Sequence, residues 1–140
     1  MTTVIDSNVI AALWNLDDAL NAAARSALDA ALARGSLVVP APVYSELMAG
    51  PLRDEAALDS FFSVTDIAVE WTVGEEIWRE AGRVYRGYVQ RRNRSGGQLP
   101  RRILTDFLIG AHALSRGYSL LTFDRRLYAA AFPKLKTLPD

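Results

Sequence analysis

The chain has 140 residues, half of them hydrophobic, which suits one domain of ordinary size with a core covering both faces of a small sheet. It has no Cys and one His, His112, so disulfides, thiolate metal sites and multi-histidine zinc sites are excluded, and any metal has to be held by oxygen. Formal net charge is zero, yet eight of the 14 Arg lie between Arg79 and Arg102, and Lys134 and Lys136 are the only Lys. Positive charge is therefore almost all guanidinium, the group suited to bidentate contact with phosphate, although codon bias of a GC-rich genome gives the same enrichment. The opening Met-Thr-Thr-Val-Ile-Asp has neither a basic leader nor a signal-type apolar stretch, and no run of about twenty apolar residues occurs, so a cytoplasmic protein without membrane association is expected.

Thr3 to Ile5 reads as a short buried strand, and Asp6-Ser7-Asn8 then opens a helical turn from Val9 to Trp14. Asp17 to Arg34 carries Leu20, Ala24, Ala27, Leu28, Ala31 and Leu32 at spacings of three and four, one apolar helical face that ends at Gly35. Ser36 to Val39 is a second strand; Pro40 and Pro42 stop it and start the helix bearing Glu46, which ends at Gly50-Pro51. Asp54 to Phe62 is a further helix and Ile67 to Trp71 a third strand. A long helix follows from Val73 to about Arg92, with Arg79, Arg83, Arg86 and Gln90 spaced as a polar stripe. Gln90 to Arg102, with Ser95, Gly96, Gly97 and Pro100 among its Arg residues, reads as a mobile basic loop. Ile103 to Arg116 is an apolar helix closed by Gly117, Ser119 to Phe123 a fourth strand, Arg125 to Phe132 a short helix and Leu135 to Leu138 a fifth strand. Strands alternating with helices give an α/β fold whose parallel strands all end on the edge where such sheets bind ligands.

Four isolated carboxylates interrupt these apolar segments: Asp6, Glu46, Asp106 and Asp124. Asp6 and Asp124 each close a strand and each have a second reading as a helix N-cap. Glu46 and Asp106 are lone acids within apolar helical stretches, where a solvated face would show several polar neighbours. Two like charges about 4 Å apart repel by roughly 4 kcal/mol at an effective dielectric near 20, so a gathering of four needs protonation, spreading or a divalent cation. Mg²⁺ is the economical answer, since it takes hard oxygen ligands, keeps several waters and activates water against a phosphodiester.

The runs Val4-Ile5-Asp6-Ser7-Asn8-Val9-Ile10, Ser45-Glu46-Leu47, Thr105-Asp106-Phe107-Leu108-Ile109-Gly110-Ala111-His112-Ala113-Leu114 and Gly117-Tyr118-Ser119-Leu120-Leu121-Thr122-Phe123-Asp124 resemble, in order, the PIN-domain nucleases, and in particular the VapC-like toxins of toxin–antitoxin pairs. The resemblance covers essentially the whole chain. It implies a three-layer α/β/α sandwich around a mostly parallel sheet of four to five strands. It also implies a Mg²⁺ or Mn²⁺ site from Asp6, Glu46, Asp106 and Asp124 and metal-dependent endonucleolytic cleavage of RNA. Ser7, Asn8 and Thr122 match positions where the family holds hydroxyl or amide groups near the metal, which fits orientation of the acids. His112 lies six residues beyond Asp106 on the same apolar helix and reads as a packed histidine rather than a base.

Many relatives place Asn where this chain has Thr105, and many add an acid where it has Arg125 and Arg126, which puts a second metal ion in doubt and leaves guanidinium groups beside the scissile phosphate. Arg91, Arg92 and Arg94, with Arg125 and Arg126, are the expected RNA contacts; a solvated helix face and loop is the plain alternative. Toxin relatives are homodimers neutralised by a small VapB-like antitoxin, and Trp14, Leu16, Leu20, Leu47 and Met48 are expected either to build its groove or to serve as core. Other readings are a PIN nuclease of RNA processing and a PIN module that binds RNA or protein without cutting. A phosphatase-like or receiver domain also uses strand-end Asp residues. The phosphatase type wants a second Asp where this chain has Asn8, and both want a late Lys for which only Lys134 and Lys136 are available.

Overall fold

The computed structural model describes residues 1–51, 53–94, 96 and 104–139. Five strands form one sheet: β1 (Thr2–Ile5), β2 (Ser36–Pro40), β3 (Ala68–Glu70), β4 (Ser119–Leu121) and β5 (Thr137–Leu138). Their spatial order is β3-β2-β1-β4-β5 and every neighbouring pair is parallel. Successive side chains of a strand face opposite sides of a sheet. Val4 and Ile5, Val38 and Val39, and Leu120 and Leu121 are all buried, so helices cover both faces. This is the expected sandwich.

The helices are α1 (Ser7–Trp14), α2 (Asn21–Arg34), α3 (Ala41–Ala49), α4 (Glu55–Thr65), α5 (Glu75–Arg94), α6 (Leu104–Arg116) and α7 (Arg125–Ala131). α3 begins directly at the end of β2, with Pro42 in its first turn where the missing N–H costs nothing. α4 is capped by the Asp54 side chain, which accepts from the Ala57 N–H at 2.8 Å. Gly110, in the middle of α6, leaves room for the Phe132 ring to lie against the helix, and a Cβ there would overlap that ring.

Two expectations change. The helix anticipated from Asp17 begins at Asn21, because Asn15 and Asp18 accept hydrogen bonds from the N–H groups of Asp17 and Leu20 and hold turns instead. Asn21 meanwhile donates its side-chain amide to the carbonyls of Ala12 and Leu13 at the end of α1. The basic loop anticipated from Gln90 is helical through Arg94. Arg is a good helix former and positive charge suits a C-terminal turn, so Arg91, Arg92 and Arg94 extend α5 rather than break it. The rest of that loop, apart from Gly96, lies outside the described residues, as does Ile103.

Candidate functional site

The chain runs from β1 through β2 to β3 on one side and places β4 and β5 on the other, so the sheet order reverses at the β1–β4 boundary. Open α/β sheets bind ligands at such a reversal, beyond the C-terminal ends of the strands. Asp6 follows β1 and Asp124 follows β4 at that place. Glu46 arrives on α3, which leaves the neighbouring end of β2, and Asp106 in the first turn of α6.

Asp6 is the deepest of the acids, 3% exposed. It occupies the N-cap position of α1 but its side chain caps nothing there, and Asp124 likewise caps nothing at the start of α7. The capping reading of both residues is thereby set aside. Asp6 Oδ2 accepts hydrogen bonds from Thr122 Oγ1 at 2.8 Å and from the Tyr128 hydroxyl at 3.2 Å. Thr122 Oγ1 in turn accepts from the Asp124 N–H at 3.0 Å, which directs its proton toward Asp6. Asn8 ties the two strand ends together: its Oδ1 accepts from the Phe123 N–H at 3.2 Å and its Nδ2 lies 3.5 Å from Thr122 Oγ1. Ser7 Oγ donates to Glu46 Oε1 at 3.1 Å and stands 3.5 Å from Asp6 Oδ1, bridging the first and second acids.

The acids share one electrostatic neighbourhood. Burial pushes the Asp6 carboxyl above its ordinary range, opposed by the Thr122 hydroxyl, the Ser7 backbone N–H and the Tyr128 hydroxyl and reinforced by the charge of Asp124. Glu46 is raised by partial withdrawal from water, then by Asp6, with the Ser7 hydroxyl acting the other way. Asp106 is pushed up to about 7, by burial first and then by the charges of Asp6, Glu46 and Asp124. Among the described residues no ion pair reaches any of the four. An uncompensated group of hard oxygen donors fits a divalent cation. Among the described residues no three acids stand close enough to enclose one ion directly, so an ion held here would take a few carboxylate oxygens and complete its shell with water.

Tyr128 was not legible as a site residue. It lies in the apolar run of α7 and reads as core, but its place four residues after Asp124 on a helix is the signal that returns it to the strand end. Its ring is 1% exposed. His112, by contrast, is packed as expected, fully buried with Nε2 2.8 Å from Glu70 Oε1.

Arg125 and Arg126 are exposed in the first turn of α7. Arg91 and Arg94 are exposed at the end of α5, and the Arg92 guanidinium lies 5.8 Å from the centre of the Tyr88 ring. Tyr85 and Tyr88 pack on Phe107, the residue after Asp106, so this end of α5 flanks the start of α6. Arg79 and Arg83 are paired within α5 to Glu75 and Glu80. An open groove of about 240 Å³ runs from Ser7, Asn8 and Glu46 past Ala11, Trp14 and Leu47 to Gly50 and Pro51. Of the apolar residues expected to form a partner groove, Trp14 and Leu47 line it, whereas Leu16, Leu20 and Met48 are exposed outside it.

The family model for the PIN domain matches residues 3–133. The chain belongs to the PIN domain family. A search of curated proteins by sequence finds no match. Among solved structures, this PIN domain is similar to a VapBC complex from Rickettsia felis bound to a promoter DNA fragment, at a TM-score of 0.70 and 16% identity over 99% of this chain and 98% of that one. It is similar as well to a VapBC complex from nontypeable Haemophilus influenzae, with a TM-score of 0.65 and 20% identity over 99% and 97% of the two chains. A third is a Mycobacterium tuberculosis VapC described as a toxin cleaving the sarcin-ricin loop, with a TM-score of 0.60 and 18% identity over 96% and 98%.

Proposed function

We propose that this PIN domain is a Mg²⁺-dependent endoribonuclease, with Mn²⁺ as a substitute, and the toxin of a VapBC-type toxin–antitoxin pair. The observation that carries the reading is the group of four acids at the sheet reversal, three of them raised above their ordinary range and none ion-paired among the described residues. A divalent cation bound there supplies Lewis-acid activation of water and offsets charge on the scissile phosphate.

The chain's own residues do the rest. Asp6 is the fixed ligand, held by Thr122 and Tyr128. Glu46 is steadied by Ser7, and Asp106 and Asp124 complete the anionic rim. Arg91, Arg92, Arg94, Arg125 and Arg126 are assigned to substrate phosphates, which position a strand without reading its sequence. The groove beside Glu46 is assigned to the antitoxin, since a segment lying in it covers Ser7 and Glu46. Association with a second copy and residence in the cytoplasm follow from the same toxin reading.

Purified protein incubated with a panel of structured RNAs tests the activity. Cuts should appear with Mg²⁺ or Mn²⁺, vanish with EDTA, and fall on the order of a hundredfold or more in a folded Asp6→Asn variant. Equal inertness of both proteins across the panel would favour a binding module, and equal cutting would mean that the acids are not the site.

A further inference from the structure

Asp6 presents its two oxygens unequally. Oδ2 receives both the Thr122 hydroxyl at 2.8 Å and the Tyr128 hydroxyl at 3.2 Å, whereas the side-chain donor beside Oδ1 is Ser7 Oγ at 3.5 Å, which has a shorter contact to Glu46; the Ser7 backbone N–H also acts on this carboxylate. A carboxylate oxygen has two lone pairs, so Oδ2 is filled. Neither hydroxyl is free to turn away. The Thr122 oxygen is already an acceptor for the Asp124 N–H, and the Tyr128 ring is held in an aromatic chain with Phe132 and, through it, Phe107. Gly110 is what lets Phe132 sit against α6 and close that chain. The Tyr128 hydroxyl, whose one proton goes to Asp6, also acts on the Asp106 carboxyl, which places one phenol beside two of the four acids.

Carboxylates bind Ca²⁺ with one oxygen or two in a loose shell of six to eight ligands, whereas Mg²⁺ and ions of its kind demand a tight octahedron. A carboxylate with one oxygen already occupied serves the octahedral ion and handicaps the larger one. We propose that Tyr128 is a positioning residue that, with Thr122, restricts Asp6 to a single available oxygen and so makes the site prefer small octahedral divalent ions over Ca²⁺. This rests on the metal-site reading above and adds to it a source of selectivity.

Direct titration of the whole chain with Mn²⁺ and with Ca²⁺, following bound ion rather than cleavage, tests the proposal on wild type and Tyr128→Phe. The variant keeps the ring in the core and removes only the hydroxyl. Mn²⁺ binding should weaken by about 10–100-fold, the usual cost of losing an outer partner of a ligand, while Ca²⁺ binding weakens less, so the preference narrows. Thr122→Val should narrow it in the same direction and Thr122→Ser should restore it, which keeps the test independent of how one variant folds. Tyr118→Phe, which removes a comparable phenol bond to Glu70 outside the site, should leave both affinities at the wild-type value. Unchanged affinities in Tyr128→Phe, or equal losses for both ions, would overturn the proposal. Wild-type protein that binds neither ion would instead refute the metal-site reading on which it stands.

Discussion

A carboxylate at 3% exposure has lost most of its water, and Asp6 has two hydroxyls in place of it. The hydroxyls lower its pKa but do not cancel the cost of burial. Asp106 is the more useful reporter, because its carboxyl is pushed up to about 7 while an unfolded Asp titrates near its ordinary value. Between those two values the folded state binds more protons than the unfolded one, so stability falls as pH rises through that window. Metal-free protein should therefore melt higher at pH 5 than at pH 7.5. Asp106→Asn, neutral throughout, should flatten that slope and be more stable than wild type at pH 7.5 by about 1–2 kcal/mol, allowing for solvent screening of a partly exposed side chain. Melting curves in EDTA at the two pH values decide it; a variant with the wild-type slope would mean that Asp106 is ionised without strain.

Local chemistry explains which elements were legible. Thr3 to Ile5, Val38 and Val39, and Leu120 and Leu121 are short apolar runs bounded by Asp, Pro and Gly, and β1, β2 and β4 form on them. The start of α2 was missed because Leu20 fits the apolar spacing while Asn15 and Asp18 bind the backbone in turns, a competition that periodicity does not register. The sequence carried α5 to about Arg92 but also began a loop at Gln90; the helix runs on to Arg94, because Arg supports a helix and suits its last turn. Arg91, Arg92 and Arg94 of the proposed RNA surface therefore project from a helix. Replacing Arg91, Arg92 and Arg94 together with Ala should reduce the salt dependence of RNA binding, lowering its logarithmic slope by roughly 2–3, with the melting temperature little changed. An unchanged slope would remove these residues from the interface. On α6, Gly110→Ala drives a methyl group into the Phe132 ring and should cost about 1–3 kcal/mol in a denaturant titration.

At the scale of the whole molecule, the site exists because a sheet of order β3-β2-β1-β4-β5 reverses beside its central strand and gathers residues distant in sequence. The four acids were legible as lone charges in apolar segments, and the alternation of strands and helices fixed the edge on which they meet. Tyr128 was not, because a tyrosine in an apolar helix is usually core, and its hydroxyl acquires a role only once α7 is docked beside β1. On the proposed metal-site reading, the gathered negative charge also couples folding to ion binding. Mn²⁺ at about a hundred times its Kd should stabilise the protein by roughly 2.7 kcal/mol, an increment that Asp6→Asn loses. The most direct measurement is RNA cleavage and bound Mn²⁺ followed together, in one titration, for wild type and Asp106→Asn. Cleavage that rises with occupancy in wild type, with both lost or weakened together in the variant, is the predicted result. Cleavage that proceeds at full rate with no ion bound, or that survives intact in the variant, would contradict a carboxylate-held metal as the source of the activity.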